Sequence, residues 1–184
     1  MTAILAIYGT AYGQTERIVQ RIADRLQQVG LEVRTCRGDA LPHNLDAASF
    51  DAVLVGASVI RGKHQGYVRD FVRRHAARLN QIPSAFVSVS GAAGSPLPEK
   101  RAEAQGYLDE FLRQTSWRPT VTAAFGGTLA YTKYGFLLRW IIKRIAKQSG
   151  GPTDTTRDHE LTDWDAVDRF AERLEKILPQ PAAP

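Results

Sequence analysis

Cysteine is scarce in this chain of 184 residues, with Cys36 alone. One thiol excludes an internal disulfide framework and a cysteine-rich zinc site, and Cys36-Arg37-Gly38 lacks the Cys-x5-Arg loop of small phosphatases. Long apolar runs are also missing. The longest, around Ala52 to Ala57, is far short of the ~18 residues that a spanning helix needs. The opening Met1-Thr2-Ala3-Ile4-Leu5 has no basic region and no small-residue cleavage site, so the expectation is a cytoplasmic protein. No internal repeat or low-complexity tract is visible. His43, His64, His75 and His159 have no ligand-like spacing, so no metal is expected.

What is present is an ordinary globular composition, 43% hydrophobic and 23% charged, at a length that suits one domain of ~150 residues with an insertion. The formal net charge is +5, which points toward an anionic partner. That charge is local. Between Glu110 and Asp154 there is no acidic residue, while Arg113, Arg118, Lys133, Arg139, Lys143, Arg144 and Lys147 all fall there.

Strand and helix patterns alternate along the chain. Ala3–Tyr8 is an apolar strand, and Thr15–Val29 carries Ile18, Ile22, Leu26 and Val29 at helical spacing, with Gly30 as its stop. Leu31–Thr35, Ala52–Ala57, Ser84–Val89 and Thr120–Phe125 are further strands; Tyr67–Leu79, Pro98–Gln114 and Trp164–Leu178 are further helices. The continuous apolar strand at 52–57 is the pattern of a parallel sheet covered on both faces. These elements predict an α/β doubly wound sheet of five parallel strands, order 2-1-3-4-5, over residues 1–178 with a Pro/Ala tail at 179–184. Residues 127–162 are too long for a loop and too basic for a core element, and read as a basic helical insertion after the fifth strand.

In such a sheet the first loop, Thr10-Ala11-Tyr12-Gly13-Gln14-Thr15, lies at the carboxyl ends of the strands, where hydroxyls and amides meet a helix N-terminus and can hold a phosphate. An ordinary turn with Thr15 as N-cap is the alternative. The loop is neither Gly-x-Gly-x-x-Gly nor a Gly-Lys-Ser/Thr loop, which disfavours dinucleotide and ATP sites. It resembles the FMN phosphate loop of flavodoxins. Ser58-Val59-Ile60-Arg61-Gly62 and Ser90-Gly91-Ala92-Ala93 follow the third and fourth strands and would bracket one flat ring with it. A receiver domain of the same topology needs acidic residues after the first and third strands, where this chain has Tyr8-Gly9-Thr10 and Gly56-Ala57-Ser58.

His64 reads equally well as a ligand-facing donor or as a solvated loop residue. In the insertion, Leu137, Leu138, Ile141, Ile142 and Ile145 share one face of a helix; Arg139, Lys143, Arg144 and Lys147 share the other, with Phe136 and Trp140 among them. Aromatics amid cations suit a membrane headgroup layer or a flat anionic ligand. A plain surface helix explains the aliphatic residues but not Trp140 or the absence of acid. Nucleic acid is not expected, since no base-reading motif accompanies the patch.

With these residues in view, the chain resembles the flavodoxin-type, quinone-dependent protoporphyrinogen IX dehydrogenases of bacterial haem synthesis over nearly its whole length. The resemblance is carried by Gly13-Gln14-Thr15, Gly56-Ala57-Ser58, Pro83-Ser84-Ala85-Phe86, Pro98-Glu99-Lys100-Arg101, Trp117-Arg118-Pro119, Ser149-Gly150-Gly151 with Thr153-Asp154-Thr155, and Thr162-Asp163-Trp164. The family's Ile-Arg-Tyr-Gly-His pattern is replaced by Val59-Ile60-Arg61-Gly62-Lys63-His64. Its Leu-Arg-Tyr-Pro-Arg-Tyr is replaced by Leu129-Ala130-Tyr131-Thr132-Lys133-Tyr134. Both departures lie where substrate would be read.

The resemblance implies non-covalent FMN, held at Thr10–Thr15 and bordered by Ser58–Gly62 and Ser90–Ala93, with no protein nucleophile or obligatory base. It implies protoporphyrinogen IX as donor, with Lys63, His64, Lys100, Arg101 and Lys133 as cations for its propionates and Tyr131 and Tyr134 as flat surfaces. A quinone would be the acceptor. Phe136, Arg139, Trp140, Lys143, Arg144 and Lys147 would bring the site to an anionic membrane surface at the inner face of the cell membrane. A homo-oligomer is compatible with the sequence. The rival classes are an electron-transfer flavodoxin, against which the basic charge counts, an NAD(P)H:quinone reductase, and a basic binding module without flavin.

Overall fold

A computed structural model describes residues 2–42 and 45–179, so His43 and nearly all of the tail at 179–184 lie outside the described residues. Strands β1 (Ala3–Gly9), β2 (Glu32–Arg37), β3 (Ala52–Ile60), β5 (Ser84–Ser90) and β6 (Val121–Gly126) form a parallel sheet in the order β2-β1-β3-β5-β6. Helices α1 (Gln14–Gln28), α2 (Gly66–Leu79), α3 (Pro98–Thr115) and α5 (Trp164–Ile177) flank it. The expected doubly wound order is therefore present. The sheet gains one short strand, β4 (Lys63–His64), antiparallel to β3, in a segment expected to be an open loop.

Side-chain alternation in the strands explains the two layers. Ile4 and Ala6 of β1 face α1 and α5, where Ile18, Ile22, Leu26, Phe170 and Leu174 complete one core. Leu5 and Ile7 face the opposite side, where Val68, Phe71, Leu108, Phe111 and Trp117 complete the other. Helix α1 stops where Gly30 adopts φ 86°, with Leu31 N bonded to Leu26 O at 3.2 Å and Gly30 N to Gln27 O at 3.0 Å, a Schellman closure.

The insertion has structure of its own. Strands β7 (Thr128–Leu129) and β8 (His159–Glu160) pair antiparallel, and helix α4 (Phe136–Gln148) lies between them. Its return crosses the end of β6 so closely that a Cβ on Gly126 would sit 2.1 Å from Leu161 O. Leu161 N donates to Gly127 O and Thr162 Oγ1 to Gly126 O, which fastens the insertion to the sheet.

The position of α1 depends on Gly56 in β3. A Cβ there would meet Val19 Cγ2 at 2.5 Å and Thr15 Cγ2 at 3.1 Å, so only glycine lets the helix lie this close. Gly56→Ala is expected to cost about 2 kcal/mol in urea unfolding, because overpacking must lift α1 from the sheet. An unchanged midpoint and slope would refute that packing account.

Candidate functional site

The strand order reverses between β1 and β3, and the loops leaving their carboxyl ends diverge around a crevice. A cavity of about 380 Å³ fills it, lined by Thr10, Ala11, Tyr12, Gln14, Thr15, by residues 58–62, and by Ser90, Gly91 and Ala92. The three loops singled out from sequence thus meet at one place. Gly13 and Ala93 lie within these loops without lining the cavity.

The first loop is built to receive something. Helix α1 begins after Gly13, at φ 93°, with no side-chain cap, so Thr15 is not the N-cap that an ordinary turn would make of it. Thr10 Oγ1 accepts from Gly13 N at 2.9 Å and shapes the turn. Thr15 is fully buried, lines the cavity, and its Oγ1 has no hydrogen-bond partner. An orphaned hydroxyl beside uncapped first-turn amides fits an anionic oxygen.

The second loop is stiffer than expected. Arg61 at φ 51° and Gly62 at φ 77° form a two-residue turn between Val59↔His64 and Ile60↔Lys63, so 58–64 is a β-hairpin. The period-2 geometry of β4 turns His64 away from the cavity. Its ring packs beside Phe86 and Phe111, its Nε2 lies 2.9 Å from Ser88 Oγ, and burial lowers its pKa to about 4. Lys63 is exposed on the hairpin and does not line the cavity.

Among the other residues proposed from sequence, Lys100 and Tyr134 line the cavity. Lys100 is engaged with Glu103 at 2.8 Å, and Glu103 also accepts from Tyr107. These bonds hold the Glu103 carboxyl below its usual range, while burial and Glu103 push Tyr107 up to about 12. Arg101 is turned back on the start of α3, donating to Ser95 O and Pro96 O. Tyr131 is buried with its hydroxyl on Pro152 O, so it packs the insertion rather than the cavity. Lys133 lies over the first loop, its Nζ 3.4 Å from Tyr12 O.

The insertion supplies one wall of the cavity. Leu138, Ile142, Ile145 and Ala146 of α4 line the cavity together with Leu129. Only that strip of the apolar arc is used. Leu137, on the same arc, is 67% exposed, and Phe136 and Trp140 are 89% and 55% exposed. The small cluster beneath α4, Ala130, Tyr131 and Tyr134, is too narrow to cover the whole arc. Arg139 donates to Tyr134 O within its own turn, whereas Lys143, Arg144 and Lys147 are exposed. Glu103, Tyr107 and Thr128 also line the cavity and carried no motif by which to find them. Among the described residues no cluster of metal-ligating side chains occurs and no helix is long and apolar enough to cross a membrane.

Comparison with known proteins agrees with this geometry. Residues 5–156 match the family model described as a flavodoxin domain. The protein named protoporphyrinogen IX dehydrogenase [quinone] of Escherichia coli (strain K12) is 35% identical over 181 residues, covering 96% of this chain and 97% of its own. A protein of the same name from Leishmania major is 37% identical over 168 residues, covering 91% of this chain and 72% of its own. The crystal structure of oxidised Flavodoxin 1 from Bacillus cereus superposes with a TM-score of 0.60 at 15% identity, covering 97% of this chain and all of that one, a likeness of fold.

The burial of His64 predicts a pH dependence of stability. The unfolded chain takes up a proton on this residue near pH 6.5, and the folded chain resists it until about 4. Stability contributed by neutral His64 is complete above 6.5 and declines as pH falls toward 4, by on the order of 3 kcal/mol. His64→Gln, which keeps a partner for Ser88 but does not titrate, should flatten that part of the urea-unfolding profile. Parallel profiles for the two proteins would contradict it.

Proposed function

The chain belongs to the flavodoxin-domain family, and from that membership we propose an FMN-dependent oxidoreductase that converts protoporphyrinogen IX to protoporphyrin IX with a membrane quinone as electron acceptor. The observation that carries this is the slot itself. The cavity bordered by the three loops is also walled by the apolar strip of α4, and α4 belongs to the insertion. The relative from Escherichia coli is similar along 96% of this chain, insertion included.

The residues fit the cofactor. First-turn amides of α1 and the Thr15 hydroxyl would take the phosphate, and the Ser58–Gly62 hairpin and Ser90–Ala93 loop would border the ring. Bound FMN supplies reversible two-electron chemistry. The protein's part is placement. Leu138 and Ile142 give an apolar surface for a macrocycle, Tyr134 offers an aromatic edge, and Lys100 would serve a propionate by exchanging its present partner, Glu103. In each cycle the macrocycle loses a pair of hydrogens, and a quinone gains two electrons and two protons and leaves as quinol. Repeated cycles complete the porphyrin. Apolar walls exclude water from the reaction.

The outer face of α4 supports docking to an anionic membrane. Phe136, Leu137 and Trp140 stand exposed beside Lys143, Arg144 and Lys147, an apolar wedge rimmed by cations, and the wedge is the outer side of the helix that walls the chamber. A hydrophobic donor and a quinone would then be delivered where both dissolve.

With FMN-loaded protein under anaerobic conditions, porphyrin fluorescence is expected to grow from protoporphyrinogen IX only when a quinone is present, without consumption of NAD(P)H. Ile142→Trp, which fills the chamber, should lower that rate at least tenfold (~1.4 kcal/mol in barrier) while FMN still binds. Quinone-independent turnover, or full activity of the filled variant, would overturn the assignment. For the membrane, Trp140→Ala combined with Lys143→Glu and Arg144→Glu should abolish sedimentation with anionic vesicles; retained binding would remove α4 from that role.

A further inference from the structure

We propose that Lys133, carried in by the insertion, binds the phosphate of the cofactor and makes the site selective for phosphorylated flavin; this rests on the FMN reading above. The short turn Tyr131–Lys133 is laid directly on the first loop. Tyr134 meets Tyr12 edge-on, with ring centroids 5.1 Å apart, and Lys133 Nζ reaches Tyr12 O at 3.4 Å. That contact is long for a hydrogen bond, and a neutral carbonyl is a poor partner for an ammonium compared with an anionic oxygen.

The charges around the loop leave Lys133 available. Among the described residues no carboxylate pairs with it at ion-pair distance; Asp158, whose titration feels its charge, is committed to Thr132 N and Thr132 Oγ1, both at 2.8 Å. Arg17, the cation on the first turns of α1, is held by Gln14 and by Glu160 at 3.2 Å. The rest of the loop offers only hydroxyls, amides and a helix terminus worth about half a charge. A phosphate carries up to two charges, and the flexible four-carbon stem of Lys133 brings a cation to Tyr12 O, in the loop that holds the fully buried, unpartnered Thr15 hydroxyl.

The arrangement couples two events. Phosphate seated at the loop would hold the turn that carries Lys133, and the turn is continuous with α4, the wall of the chamber. By linkage, cofactor binding would favour the docked turn by the same factor by which docking of the turn favours the cofactor.

The test titrates full-length apoprotein with FMN and, separately, riboflavin, following quenching of flavin fluorescence at low and high salt. Lys133→Ala should weaken FMN roughly tenfold at low salt and leave riboflavin unchanged within about twofold. Lys133→Arg should restore most of the FMN affinity, and Lys133→Met, which keeps the aliphatic stem, should behave as the alanine variant. High salt should shrink the gap between wild type and variants. Unchanged FMN affinity in the alanine and methionine variants would overturn the proposal. So would equal losses for FMN and riboflavin, which would make Lys133 a packing residue of the turn. Failure of the wild type to bind either flavin would instead refute the cofactor reading itself, and this proposal with it.

Discussion

The site depends on how α1 begins. Most helices answer their first amides with a Ser, Thr, Asp or Asn side chain, but α1 starts from Gly13 in the left-handed region with no side-chain cap. The next hydroxyl, on Thr15, is buried and unanswered. Leaving such groups unpaired costs stability, of order 1–3 kcal/mol for a buried polar group, and the packing of α1 against Gly56 keeps the helix from relaxing to satisfy them. The first turn of α1 therefore presents amides and a hydroxyl with no side-chain partner to the cavity. Residues 58–62 and the Ser90-Gly91-Ala92 stretch border the same cavity.

The insertion gives this crevice a wall of its own. It leaves the sheet at β6, packs Tyr134 on Tyr12, spans the mouth with α4, and returns through Leu161 and Thr162 onto Gly126 and Gly127. Gln14 ties the first loop to the same return, donating to Glu160 and Thr162. One helix consequently has two working faces. Its inner strip walls the cavity that the three loops border, and its outer strip presents aromatics and cations to solvent.

The sheet order and the three loops were legible in the sequence because they rest on short-range signals: alternating apolar runs, a hydroxyl-rich loop between strand and helix, and small residues after the third and fourth strands. Orientation within a loop was not legible. The sequence leaves His64 equally a ligand-facing donor or a solvated loop residue, whereas the two-residue turn at Arg61-Gly62 fixes a hairpin register that turns it onto Phe86 and Phe111. Arg101 and Tyr131 similarly looked like a cation and a flat surface, and both are absorbed locally, one by the carbonyls before α3 and the other by Pro152 O. On α4 the amphipathic pattern was clear, yet how much of its apolar arc is covered depends on the small cluster beneath it, which no periodicity reveals. Glu103 and Tyr107 had no sequence signal because ordinary helical spacing brings them to the cavity.

The account stands or falls on whether the donor reaches the cofactor in this slot. The most direct measurement is a single-turnover, oxygen-free mixing of the FMN-loaded protein with protoporphyrinogen IX, followed in the flavin absorption band and then by a quinone. The account predicts rapid bleaching and recovery on quinone addition. A flavin that stays oxidised with protoporphyrinogen IX would contradict it, leaving the fold and the anion site but assigning the chamber to another donor.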